Sequence, residues 1–253
     1  MVIDWHVHTL CSCDSSLHPI EACEMVLEKG LKGLCFVDHI DFDPRDEGID
    51  YFNWLQYLDL IEEARTCFPQ IIIKTGFELN WQRDYQAQIL EFLADKKVDF
   101  IIGSIHWLST GYINSAKTYS QRTFGDFINE WCVEALSLLR SSICQGFAHF
   151  DYFFLQTKQL YPNIKREDIF EWTEEVVDAM IKYDVSLEIN TSSLRKGLRE
   201  PFPCWDFIER YLKKGGTKVY LGSDSHTKEA IGFSFDQVLT RLKQLTYTFQ
   251  LSI

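Results

Sequence analysis

Six of the chain's seven histidines stand where a short apolar run gives way to polar residues: His6-Val7-His8, Asp38-His39, His106, His149 and Asp224-Ser225-His226. Glu78 and Asn190 occupy the same place in two further runs. On an extended backbone, residues two apart point to one side, so His6 and His8 present their imidazoles together while Val7 faces away into packing. Asp224 and His226 repeat that spacing, and Glu78 adds a carboxylate able to bridge two cations. Imidazole and carboxylate together suit Zn²⁺, Mn²⁺ or Fe²⁺ better than Ca²⁺ or Mg²⁺, which prefer all-oxygen shells. Each residue alone has a plainer reading. A strand-end histidine is commonly a hydrogen-bonded loop residue. Glu78 could sit at a helix start for the sake of the macrodipole, and Asp38 and Asp224 could be caps. Six histidines and three acids at the same end of consecutive units are hard to explain by capping or packing.

The elements that must position them alternate. Short runs rich in Val, Ile and Phe occur at Val2-Ile3, 33–37, 71–74, 100–103, 144–148, 185–189 and 219–222. Such runs, bounded by glycine or charge, fit strands buried on both faces. Between them lie amphipathic stretches at 19–29, 54–67, 85–96, 124–139, 166–183 and 203–214, with apolar residues three and four apart. Alternating strands and helices imply a parallel sheet. Seven units could form an open doubly wound sheet or a closed barrel. Ligands from all seven strand ends converge only if the sheet closes, as active sites do at the C-terminal face of a TIM-like barrel.

A chain of 253 residues, 46% hydrophobic, is expected to form one domain over 1–253 without dividing. Its formal charge of −12 and the lack of a Lys/Arg-rich stripe argue against nucleic acid as a partner. The start carries no basic segment followed by a long apolar run, and no stretch is long enough to span a bilayer. The eight cysteines are scattered and read as reduced thiols of a cytoplasmic protein. Oligomeric state is left open.

These motifs, together with Gly76-Phe77-Glu78, Gly103-Ser104-Ile105-His106 and Ala148-His149-Phe150-Asp151, resemble the ordered motifs of the PHP (polymerase and histidinol phosphatase) superfamily over nearly the whole chain. The resemblance implies a distorted (β/α)7 TIM-like barrel with a trinuclear site of divalent transition metals. It implies one metal held by His6, His8, Glu78 and Asp224, a second by Glu78, His106 and His149, and a third by Asp14, His39 and His226. Glu78 and Asp224 are thereby also the catalytic carboxylates.

Clustered cations of this kind lower the pKa of a bridging water and stabilise in-line displacement at phosphorus, so hydrolysis of a small phosphorylated substrate is the expected chemistry. Arg195 is the candidate phosphate clamp, because a guanidinium binds two phosphate oxygens in fixed geometry; the alternative is a loop arginine paired with Glu200. The run Asn190-Thr191-Ser192-Ser193-Leu194-Arg195-Lys196 resembles the histidinol-phosphatase branch, which implies L-histidinol phosphate as substrate in histidine biosynthesis. Another small phosphoester, or a PHP module of DNA-polymerase type, is the alternative. Asn190 is expected either to orient substrate or to stand behind the ligands and support them, and Lys158 to supply a second clamp. Phe42, Trp81, Trp107, Tyr112 and Tyr152 could wall the substrate, with Trp107 a binding residue. His18, before Pro19, reads as a residue at the start of the first helix.

Overall fold

The structure, a computed structural model, describes residues 2–120 and 122–249. Seven parallel strands form one sheet: β1 (Ile3–Val7), β2 (Gly33–Ile40), β3 (Ile72–Asn80), β4 (Phe100–Ser104), then, after a small hairpin of β5 (Trp107–Leu108) and β6 (Gly111–Tyr112), β7 (Gly146–Phe147), β8 (Ser186–Asn190) and β9 (Val219–Gly222). Apart from the hairpin, each strand neighbours its successor in the chain. The two edges meet just beyond β9, where Val7 pairs with Ser225: His8 N donates to Ser225 O at 2.8 Å and Ser225 N to His6 O at 3.3 Å. The result is a nearly closed seven-stranded α/β barrel with helices around it, as expected.

Two strands run further than their apolar cores suggest. β2 and β3 pair in register from Gly33↔Ile72 to Ile40↔Leu79, which sets His39 directly beside Glu78 within the sheet. Phe77 and Leu79 are fully buried on either side of Glu78, so packing extends β3 past the polar pair Lys74-Thr75 that interrupts the pattern. β7, in contrast, retains only two residues of the expected 144–148. The expected helix at 166–183 is divided at Thr173, whose hydroxyl donates to Ile169 O at 2.7 Å, into Ile169–Trp172 and Glu174–Lys182. Helices at Phe154–Leu160 and Phe235–Phe249 complete the outer layer.

The helix Pro19–Glu28 begins as its sequence says. His18 accepts from Ile20 N at 3.2 Å through Nδ1, and Glu21 closes the capping box. Large aromatics fill the core between barrel and helices, Trp131 packing against Phe147, Phe150 and Phe153. Among the described residues no helix is long and apolar enough to cross a membrane.

Candidate active site

Strand β1 presents Asp4 and His6 on one face, with His8 just past its end, all fully buried. Each imidazole is aimed by a bond to its Nδ1. Glu188 Oε1 lies 2.6 Å from His6 Nδ1. Ser12 Oγ lies 3.0 Å from His8 Nδ1 and donates to Asp38 Oδ1 at 2.7 Å. Asp38 also accepts from Thr9 N and Thr9 Oγ1, so it anchors the loop after β1 rather than capping a helix. With Nδ1 engaged, both rings turn Nε2 toward Glu78.

Glu78 faces two sets of rings. Its Oε2 lies 3.2 Å from His6 Nε2, 3.3 Å from His8 Nε2 and 3.3 Å from His39 Nδ1. Its Oε1 lies 2.8 Å from His149 Nε2 and 3.4 Å from His106 Nε2. Asp224 Oδ1 approaches His6 and His8 at 3.7 and 3.6 Å. Asp14, half exposed, brings Oδ2 to 3.1 Å from His226 Nε2 and 3.7 Å from His39 Nε2. All nine residues expected as metal ligands therefore meet at one end of the barrel.

Among the described residues three groups are compact enough to hold an ion: His6, His8 and Asp224; His39, Glu78 and His106; His8, His39 and His226. His8 and His39 each occur in two groups, so the division of ligands between ions depends on which nitrogen each ring offers. The donor chemistry fits divalent transition ions. His6 Nε2 and His8 Nε2 are 3.0 Å apart, and His106 Nε2 and His149 Nε2 are 3.3 Å apart. His39 Nδ1 and His226 Nε2 are buried without a hydrogen-bond partner. Ring nitrogens crowded this way need protons or a cation between them and the carboxylates.

Electrostatics tell the same story. Burial opposes ionisation of Glu78 and Asp224, yet His6, with His39 and His106 for Glu78 and His8 and His226 for Asp224, holds both carboxyls well below their usual range. Burial likewise opposes charge on His39, but Glu78 and Asp14 push it up to about 10. His6 is raised by Glu188, Glu78 and Asp224 against the same burial. Burial lowers His8, and the neighbouring rings of His226 and His39 lower it further.

Two site residues hold backbone conformations unusual for non-glycine residues, His149 at φ 24° and Asp224 at φ 54°. The surroundings fix both. Glu188 Oε2 accepts from His149 N at 2.6 Å. Arg195 donates through Nη1 to Ser223 O at 2.5 Å and through Nη2 to Asp224 O at 2.8 Å. A Cβ at Gly222 would lie 2.0 Å from Glu188 Oε1, so glycine there is what lets Glu188 reach His6.

Above the histidines opens a cavity of about 700 Å³ lined in part by Arg195, Lys196, Trp107, Tyr112 and Tyr152, with Asp41, Asp46 and Glu47 also in its wall. Trp107 Nε1 donates to the Asp46 carboxylate, and the Arg45 guanidinium lies 4.7 Å over the Trp107 ring. Arg45 also donates to Leu108 O and Ser109 O, tying the loop after β2 to the β5–β6 hairpin.

Several expectations meet a different arrangement. Asn190 is fully buried beneath the cavity, where Nδ2 donates to Glu188 Oε2 at 3.1 Å and to Asp224 Oδ2 at 3.5 Å. Of its two expected roles the geometry fits the supporting one, since it orients carboxylates instead of lining the substrate space. Lys158 sits on the helix Phe154–Leu160 and faces a separate cleft, so it is not brought to the histidines. Lys196, the next residue after Arg195, lines the cavity in its place, with Nζ 4.7 Å over Tyr152. Arg195 does not pair with Glu200; its recorded hydrogen bonds go to Ser223 O and Asp224 O. Trp81 is buried in the core with Nε1 donating to Ser137 Oγ, and Phe42 packs on Phe92. Neither walls the cavity. Glu188, Asp4 and Arg45 were not singled out from the sequence, although Asp4 and Glu188 lie two residues before His6 and Asn190 and share their strand faces.

A PHP domain profile matches residues 4–192. A histidinol-phosphatase of Lactococcus lactis is 26% identical over 246 residues, covering 96% of this chain and 90% of that protein. One of Bacillus subtilis is 24% identical, covering 94% and 98%. Among solved structures, histidinol phosphate phosphatase from Lactococcus lactis complexed with Zn, L-histidinol and phosphate superposes with a TM-score of 0.83 at 25% identity, covering 96% of this chain and 93% of that one.

Proposed function

The chain belongs to the PHP domain family, and from that premise we propose that it is a single-domain histidinol-phosphatase, releasing L-histidinol and phosphate from L-histidinol phosphate. The observation that carries the reading is Glu78, whose two oxygens address separate sets of imidazoles on the floor of a cavity that Arg195 and Lys196 also enter. We assign His6, His8, Glu78 and Asp224 to one divalent ion, Glu78, His106 and His149 to a second, and Asp14, His39 and His226 to a third. Zn²⁺, Mn²⁺ and Fe²⁺ all suit these donors. Such ions, when bound, supply Lewis acidity and an activated water for displacement at phosphorus.

The chain's own residues do the rest. Glu188 and the Asp38–Ser12 relay fix the ring orientations of His6 and His8. Arg195 and Lys196 bring positive charge to a wall whose floor is otherwise acidic; two guanidinium N–H groups go to backbone carbonyls, and others remain for phosphate oxygens. L-histidinol phosphate also carries an ammonium and an imidazole. Asp41, Asp46 and Glu47 offer that ammonium opposite charge, and Trp107, Tyr112 and Tyr152 offer ring faces. Free cysteines suit a reducing cytoplasm, and the proposed activity suits a role in histidine biosynthesis.

Phosphate release by the metal-loaded enzyme from a panel of esters tests this. Histidinol phosphate should exceed p-nitrophenyl phosphate in kcat/KM by roughly 10-fold or more, since only the former engages the acidic and aromatic walls in the transition state. Equal values would remove histidinol phosphate as the substrate and leave a general phosphatase. No turnover of any ester would remove the phosphatase reading.

A further inference from the structure

A second cleft, of about 600 Å³, is lined in part by residues that follow closely in the chain on those of the histidine-lined cavity. The segment that gives His149 and Tyr152 to the cavity runs on into Phe154 and Lys158 of the cleft, and the loop that gives Arg195 and Lys196 runs on into Gly197 and Arg199. Arg166 joins the two segments. It is buried, grips Asp151 through Nε at 2.5 Å and Nη2 at 3.1 Å, and donates to Pro201 O at 2.5 Å. With Arg166 neutralised by Asp151, the charge facing the cleft comes from Lys158, Lys165 and Arg199, against Glu167 and Glu200. Glu200 is partly engaged elsewhere, accepting from Trp205 N at 3.4 Å.

Among the described residues Lys158, Lys165 and Arg199 form no ion pair. Some cations of this acidic chain, such as Lys74, Lys214 and Lys218, are matched to a carboxylate, while others among the described residues, such as Lys97 and Lys117, are not. What sets Lys158, Lys165 and Arg199 apart is that they surround one concavity. Unmatched cations on three segments around a concavity focus positive potential where the protein's net charge of −12 works against it. A tetrahedral dianion offers acceptors toward all three segments, whereas a carboxylate is planar and singly charged.

We propose that this cleft binds a phosphoryl anion, inorganic phosphate or a phosphomonoester, separately from the active-site cavity, and that its occupancy is felt there through the loop bearing Arg195. The metal-loaded full chain, titrated calorimetrically with inorganic phosphate, should bind two phosphates. The K165E/R199E variant should bind one, with basal kcat/KM within about 2-fold of wild type, as for surface substitutions generally. Phosphate inhibition should lower kcat as well as raise KM in the wild type, and act on KM alone in the variant. One phosphate per chain in the wild type overturns the site whatever the variant does, as does a second phosphate that survives the double substitution. Two phosphates with no effect on wild-type kcat overturn the coupling. A parallel titration with phenylphosphonate separates the sources: a second equivalent of it upholds an ester site, and its exclusion upholds a site for free phosphate.

Discussion

Two tiers of buried carboxylates lie within a few ångströms of each other and are satisfied in opposite ways. In the lower tier, Asp4 accepts from the backbone N–H groups of Ser223, Gly232 and His6, Asp38 from Thr9 and Ser12, and Glu188 from His149 N, Asn190 and His6. In the upper tier, Glu78 meets only ring nitrogens, and Asp224 meets three rings and one amide at 3.5 Å. Permanent N–H and O–H donors saturate a carboxylate and make it a strut. Imidazoles leave it in need of a proton or a metal ion. Partner chemistry, rather than burial, separates the positioning acids from those proposed as ligands.

The sharpest way to break this distinction is Glu78→Ala. Loss of an outer partner to a metal ligand typically costs about 10- to 100-fold, so loss of the proposed shared ligand itself should cost more, on the order of 10²-fold or greater in kcat/KM. Metal analysis of the variant should show two ions lost together; loss of a single ion with activity retained would show that Glu78 does not bridge.

Arg195→Met comes next, at about 10²-fold in kcat/KM. Metal content should largely hold, because the bonds of Ser223 to Asp4 and Ser225 to β1, and of Asn190 to the Asp224 carboxylate, remain to position Asp224. A variant that loses metal in proportion to activity would move Arg195 into the supporting tier. Glu188→Gln tests the lower tier directly. Loss of an outer partner to a ligating histidine typically costs about 10- to 100-fold in metal affinity or activity, and excess metal should restore much of it. Failure of excess metal to rescue would place Glu188 in the reaction itself.

The smallest effect is a proton count. In the metal-free chain His39 is raised to about 10 and His6 is raised as well, so both carry protons near neutral pH. A metal ion takes the deprotonated ring, so loading at pH 7–8 should release protons, and the release should fade as pH rises toward 10. Calorimetry in buffers of different ionisation enthalpy reads the number; none released at pH 7 would contradict the picture of rings held charged by Glu78 and Asp14.

The upper tier was legible in the sequence because its residues combine rare types with period-two spacing at strand ends. The lower tier carried the same spacing in Asp4-x-His6 and Glu188-x-Asn190, but a lone acid inside an apolar run looks like any strand-edge charge until its partners are known. Asp38 shows the limit well. Its partners Thr9 and Ser12 belong to a loop some thirty residues earlier in the chain, a contact made only once β2 has paired beside β1 across the intervening helix. Strand ends at β2 and β3 were underestimated because Lys74 and Thr75 break the apolar run, while the packing of Phe77 and Leu79 carries β3 onward. Lys158 failed for a related reason: its position was judged along the chain, and the helix Phe154–Leu160 turns it toward another cleft.

The seam where Val7 meets Ser225 bears on how the molecule comes into being. Asp4 and Ser223, bonded at 2.9 Å, are 219 residues apart, and His6 waits for Glu188 across 182. At ~5–20 residues per second, synthesis leaves Asp4 and His6 without these partners for on the order of ten seconds or more. During that time the first strand keeps one open edge, and the His6 imidazole lacks Glu188 while His8 already has Ser12 nearby in the chain. Contacts this distant in sequence slow folding, because the chain must order itself before they form. Assembly of the site is thus a late event in the life of each new chain, and metal supplied earlier would find only fragments of its final ligand set.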